Sequence, residues 1–164
     1  MEHVVVKSRD WSEDEAFRLL ARARSVMDIV DALREGARPT IGCDGFCLVL
    51  RDGALCHYAA EDAMAPLWEG QRFPMEACVS GLAMRTGELV VIPDIFLDDR
   101  VPHALYAQTF VRGMAMAPAG HSADAALGAY WSHVGRPSHR AIEVLQDLAR
   151  AVGEALQRVR VLAA

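Results

Sequence analysis

The chain has 164 residues, 52% of them apolar and 24% charged, and a net charge of -5 at pH 7. That length suits one globular domain with a sizeable core, and the composition excludes fibrous, collagen-like and low-complexity classes. The 17 basic side chains are scattered, so nucleic acid is not expected as a partner.

No apolar stretch approaches the ~18 residues that a membrane helix needs, and the first residues lack a signal-peptide core. The expectation is a soluble cytoplasmic protein whose four cysteines are reduced thiols.

Residues 12–35 place Phe17, Leu20, Ala23, Val26, Met27, Val30 and Leu33 on one apolar stripe, which predicts a long first helix. Ser12 and Glu15 form a capping box at its start, and Gly36 and Pro39 supply the stop. Two apolar runs, 46–50 and 54–60, flank Arg51-Asp52-Gly53 and predict an antiparallel hairpin. Residues 61–68 read as a short helix or loop, 70–74 as a brief edge strand, and 77–86 as a short helix closed by Gly87.

A strand follows at 89–92, stopped by Pro93, then an irregular acidic segment around Asp98-Asp99-Arg100 and a helix over 102–110. Strands are predicted near 112–118 and 125–133, and a second long helix opens at Pro137-Ser138 and runs toward Leu162. It places Leu145, Leu148, Val152, Ala155, Val159 and Leu162 at steps of three and four, a heptad seam that suits either a dimer partner or its own sheet. Strands bracketed by helices argue an α+β fold with an antiparallel sheet.

The ordered set Gly70-Gln71-Arg72-Phe73-Pro74, Cys78-Val79-Ser80-Gly81-Leu82-Ala83, Thr86-Gly87-Glu88, Val90-Val91-Ile92-Pro93-Asp94 and Asp98-Asp99-Arg100 resembles the middle of a GAF domain, of the bacterial sensory and regulatory type found ahead of sensor histidine kinases. The small-residue strand Gly113 to Pro118 ahead of Leu127-Gly128 adds to it. The resemblance implies a leader over 1–13 and one GAF-like domain over 14–162. It further implies about six antiparallel strands, with long N- and C-terminal helices on one face and short helices and loops over a small-molecule pocket on the other.

The expected pocket lining is Phe73, Cys78, Ser80, Asp94, Phe96, Arg100, His103, Tyr106, Met114 and Met116, an apolar cavity with few polar anchors. Arg100 and His103 are the donors suited to an anionic ligand. Phe73, Tyr106, Met114 and Met116 also have a purely packing role to play, and an Asp after a strand-ending Pro commonly fixes its own loop.

No phosphate-binding loop and no nucleophile elbow occurs. On one extended strand Cys43 and Cys47 would stand ~13 Å apart, too far for one zinc without a sharp bend at Gly45. The resemblance brings two ligand-binding patterns that the sequence lacks: a cysteine on the late helix for a covalent bilin, and the cyclic-nucleotide signature. The cofactor is therefore unknown.

The expected function is a non-catalytic sensory module that binds a small ligand and signals through a helical homodimer to a histidine kinase or other output domain outside these residues. The alternatives are a redox enzyme like the free methionine sulfoxide reductases, using Cys78, and a ligand-free dimerisation scaffold. Against the first alternative, Cys78 is the one cysteine in the pocket-forming segment and no cysteine follows it.

Overall fold

The computed structural model describes residues 11–121 and 123–163. Of the leader expected over 1–13, residues 1–10 lie outside the described residues, and helix α1 already spans Trp11–Arg22. The Ser12 side chain of the expected capping box also lies outside them.

The single first helix is in fact two, because the chain breaks at residues 23–25 before α2, Val26–Ile41. The cause is local. Ser25 is extended, its hydroxyl accepts from the Asp28 amide at 3.0 Å, and the Asp28 carboxylate accepts from the Arg24 amide at 2.8 Å. Gly36 and Pro39 do not end α2, since its buried face continues through Ala37 and Ile41. The stop is Gly42, whose left-handed backbone, φ 77°, suits a residue without a β-carbon.

The hairpin forms as expected from β1, Gly45–Asp52, and β2, Leu55–Ala63, so part of the 61–68 segment extends a strand and the rest is loop. β3, Arg72–Pro74, β4, Val90–Ile92, β5, Gly113–Ala119, and β6, Ala125–Trp131, complete an antiparallel sheet in the order β3-β2-β1-β6-β5-β4. A 3-10 turn, Met75–Ala77, precedes α3, Val79–Thr86, which Gly87 closes. The helix expected over 102–110 shrinks to α4, His103–Tyr106. The last helix, α5, spans His139–Ala163, with the Ser138 hydroxyl accepting from the Ala141 amide at 3.1 Å.

The sheet separates two cores. α1, α2 and α5 cover one face, where Leu20, Ile29 and Leu33 meet Phe46, Leu48 and Leu127. Short helices and loops cover the other, where Val79, Ile95 and Tyr106 meet Val49, Met114 and Tyr130. The six strands, the long helices on one face and the short ones on the other are the architecture the resemblance implied.

One irregularity decides which side chains meet. Leu48 pairs with Ala60 and Val49 with Tyr58, so Ala59 is an extra residue that bulges out of β2. Ala60 consequently packs toward the long helices while Tyr58 and Cys56 turn to the opposite face.

The seam of α5 is largely spent on the chain's own core. Leu145, Leu148, Val152 and Ala155 are fully buried against the sheet and α2, Val159 is partly buried, and Leu162 alone of the six is open. A partner helix cannot use the first four. No helix among the described residues is long and apolar enough to cross a membrane.

Candidate functional site

The ten expected lining residues divide into two groups instead of surrounding one space. Cys78, Tyr106, Met114 and Met116 are buried in the core opposite the long helices, with Phe73 packed against it and Ser80 at 0% exposure. Aromatic rings fill the middle. Trp68 meets Tyr106, Tyr58 and Tyr130 edge-on at centroid distances of 4.8, 5.8 and 5.9 Å.

The second group sits in the loop after β4. Asp94 accepts from the Phe96 amide at 3.1 Å and so caps its own turn. Arg100 is taken up by Asp98, with contacts of 2.7 and 2.9 Å, and this guanidinium is the first cause that holds the Asp98 carboxyl below its ordinary range. His103 Nε2 lies 2.8 Å from the Asp98 carbonyl, and its ring meets the edge of Phe96, over which Arg112 also stacks. The groups suited to an anion are thus engaged in building the loop.

Trp68 reaches the centre because Glu61 holds its loop. The Glu61 carboxylate accepts from the amides of Leu67, Trp68 and Glu69 at 2.8, 2.9 and 2.8 Å. Neither residue stands out in the sequence, since the role depends on how the chain folds back after β2.

Sulfur chemistry concentrates in the same core. Cys56 Sγ lies 3.1 Å from Cys78 Sγ and 3.3 Å from Met75 Sδ. The Ser80 hydroxyl donates to Cys78 Sγ at 3.3 Å, and the Tyr58 and Ser80 hydroxyls are 3.2 Å apart. The Cys56 thiol is the first cause that lowers Cys78 to about 6, helped by the Ser80 hydroxyl and the Gly81 amide against the opposing effect of burial. Cys56 moves up, through its bond to Cys78 and then burial.

The other two cysteines are separate. Cys43 belongs to the helix-side core and Cys47 to the opposite one, where its sulfur lies 3.1 Å from the Tyr130 hydroxyl. Burial pushes each thiol up to about 12. Among the described residues no group of three or more His, Cys, Asp or Glu could hold a metal ion.

A groove of about 640 Å³ opens on the long-helix side, between α5 and the end of the β5–β6 hairpin. Leu89, Pro118 and Leu156 give it apolar surface, while Gln146, Arg150 and Gln157 line it with polar groups. Arg160 and Asp124 close one part of it as an ion pair at 2.7 Å, and Arg150 pairs with Asp147 at 3.1 Å. No local motif marks this groove, because its walls come from segments some thirty residues apart.

The GAF domain family model matches residues 25–156, and the chain belongs to that family. Among solved structures it is similar to the GAF domain of the Acinetobacter phosphoenolpyruvate-protein phosphotransferase, with a TM-score of 0.76 at 13% identity over 93% of this chain and 94% of that one. It is also similar to the free methionine-R-sulfoxide reductase of Neisseria meningitidis, with a TM-score of 0.73 at 18% identity over 92% and 89%. The chromophore-binding domain of the R. palustris bacteriophytochrome RpBphP3 gives 0.75 at 13% identity over 93% of this chain and 61% of that one. No curated protein matches the sequence. At these identities the structural likeness establishes the fold.

Proposed function

We propose that the chain is a non-catalytic regulatory module of the cytoplasm, which binds a small polar ligand in the groove beneath α5 and passes the signal along that helix to an output domain or partner of the histidine-kinase class. One observation carries this reading: α5 is at once a wall of the groove and the helix that continues beyond the family match to Ala163. A ligand that shifts its packing acts on its far end, where Val161 and Leu162 are 70% and 53% exposed. These two side chains are the proposed contact of a homodimer.

The groove's arginines are already paired, so the ligand it suits is polar but not highly charged. Native mass spectrometry of the full chain is expected to show a bound small molecule, retained from the expressing cell or taken from a panel of polar metabolites. Gln157→Trp, which fills the groove, is expected to abolish that binding. A chain that takes up nothing from the panel overturns the sensor reading and leaves the dimerisation scaffold; a strict monomer by light scattering removes the dimer.

The closeness of Cys56 and Cys78 favours a second reading, a redox enzyme like the free methionine sulfoxide reductases with Cys78 as nucleophile. It ranks second because Tyr58, Trp68 and Tyr106 occupy the space a substrate would need beside the thiols. Turnover of free methionine sulfoxide that is lost in Cys78→Ser is its expected result, and an intact chain without turnover ends it.

A further inference from the structure

The two thiols of the core opposite the long helices do not behave as ordinary buried cysteines. Cys47 in the same core has a tyrosine hydroxyl as its neighbour, and Cys43 across the sheet has the Arg38 carbonyl at 3.8 Å. Cys56 and Cys78 have each other, at 3.1 Å, about one ångström more than a disulfide bond. They are brought together by separate elements, the start of β2 and the residue before α3.

Backbone geometry holds the pair. β2 and β3 align Cys56 opposite Phe73, and Met75, just after β3, sets its Sδ 3.3 Å from Cys56 Sγ. The turn Met75–Ala77 then brings Cys78 back, and α3 abuts that turn so closely that a β-carbon on Gly81 would lie 1.9 Å from the Met75 carbonyl oxygen. The bulge at Ala59 is what keeps Cys56 on this face.

We infer that Cys56 and Cys78 form a reversible redox site, which a small hydroperoxide converts from a dithiol to an intramolecular disulfide. The roles of the two sulfurs differ. Cys78 retains 5% exposure, whereas Cys56 has none, so Cys78 meets the oxidant first. The hydrogen bonds that it receives favour its thiolate, the nucleophilic form.

In the first step the Cys78 thiolate attacks one peroxide oxygen. The O–O bond breaks, the departing oxygen takes up a proton and leaves as alcohol or water, and Cys78 becomes a sulfenic acid. In the second step Cys56 Sγ displaces the hydroxyl from Cys78 Sγ. The S–S bond forms as the S–O bond breaks, and hydroxide leaves with the Cys56 proton as water. Two thiols lose two electrons in all, and the peroxide gains them. A dithiol reductant reverses the change by exchange.

The product clamps β2 to the start of α3, a helix that also packs on β5 and β6. Oxidation thereby ties β2, next to the edge strand β3, to a helix seated on the other half of the sheet. This chemistry requires neither a bound metabolite nor turnover of a sulfoxide, so its test is independent of both functional readings.

The reduced full chain is to be treated with hydrogen peroxide, then denatured in N-ethylmaleimide so that every remaining thiol is blocked, and digested without reductant. Trypsin places Cys56 on the peptide 52–72 and Cys78 on 73–85, so the bond joins two separate peptides. The expected result is accumulation of that linked pair, lighter by two hydrogens, with Cys43 and Cys47 still blocked and with full recovery of all thiols on adding dithiothreitol. In Cys56→Ser the link is lost and Cys78 is trapped as a sulfenic acid by dimedone; in Cys78→Ser the folded chain loses its rapid peroxide-consuming phase. Oxidation of the folded wild-type chain to any other pairing, to Cys78 sulfinic acid without the link, or not at all overturns the inference, and the wild-type map decides this even where a variant fails to fold.

Discussion

Gly153 of α5 lies against Gly120 at the end of β5, so closely that a β-carbon on Gly153 would stand 2.4 Å from the Gly120 nitrogen. The two glycines let the helix backbone touch the hairpin directly and set the floor of the groove beside Arg150 and Gln157. Helix propensity alone favours alanine over glycine by ~1 kcal/mol. Here the clash is with backbone, which does not rotate away.

Gly153→Ala is therefore expected to destabilise the fold, by ~1–3 kcal/mol as in other overpacked contacts, and to displace α5 from the hairpin. Urea unfolding of the two chains measures it. A stabilised variant would mean that α5 does not approach Gly120 this closely.

Glu61→Ala removes the common acceptor of three loop amides and so frees the segment that seats Trp68 among the tyrosines. Hydrogen bonds to a charged acceptor contribute ~1.5–3 kcal/mol, and losing the set is expected to cost at least ~2 kcal/mol. Loss of the near-ultraviolet circular dichroism of Trp68, ahead of any change in helix content, is the readout. Glu61→Gln retains an acceptor and is expected to fall between the two.

Arg158 binds the end of α1 to α5. Its guanidinium donates to the Leu20 carbonyl at 2.7 Å and to the Ala23 carbonyl at 3.0 and 3.1 Å, satisfying groups that the helix end leaves open. Arg158→Ala is expected to raise amide exchange throughout α1 while the sheet stays protected. The magnitude is ~1.5–3 kcal/mol for the local opening.

The thiol pair predicts a pH dependence of two signs. Cys78 in the folded chain is lowered to about 6, so its contribution to stability is full above the ordinary thiol value of ~8.5 and is lost as pH falls through 6. Cys56 is raised, so its contribution is full below ~8.5 and is lost above it, as the unfolded chain releases that proton. Stability is expected to rise from pH 6 to about 8 and to fall beyond.

The groups facing the pair are Tyr58, Tyr106 and Ser80, with Arg51 acting on Cys56 from β1; both tyrosines are pushed up by burial and stay protonated throughout this range. Denaturant midpoints across pH, in wild type and Cys78→Ser, test this, the variant losing the rising limb. Iodoacetamide is expected to label Cys78 from pH 6 upward while Cys43 and Cys47, at about 12, stay unlabelled in the folded chain.

Local chemistry made most of the elements legible in the sequence by itself. Asp52-Gly53 specifies its hairpin, Gly87 its helix end, Pro137-Ser138 the start of α5, and the ordered motifs from Gly70 to Pro118 indicate the family, because each of these depends on neighbours within a few residues. The same locality explains the misreading of the first helix. Ser25 and Asp28 cap α2 between apolar positions whose spacing continues across them, so the stripe hides the break that their own side chains make.

What tertiary structure alone decided is which distant groups meet. The α5 seam reads equally as a dimer face and as a core face, and the sheet beneath Leu145, Leu148 and Val152 makes it the latter. Met114 and Met116 read as cavity lining, and the structure buries both in the core where Trp68 and three tyrosines from β2, α4 and β6 converge. Cys78 reads as a thiol without a partner. Its neighbour Cys56 lies 22 residues earlier, and a one-residue bulge in β2 turns it to the face where Cys78 waits, a matter of strand register that residue types do not encode.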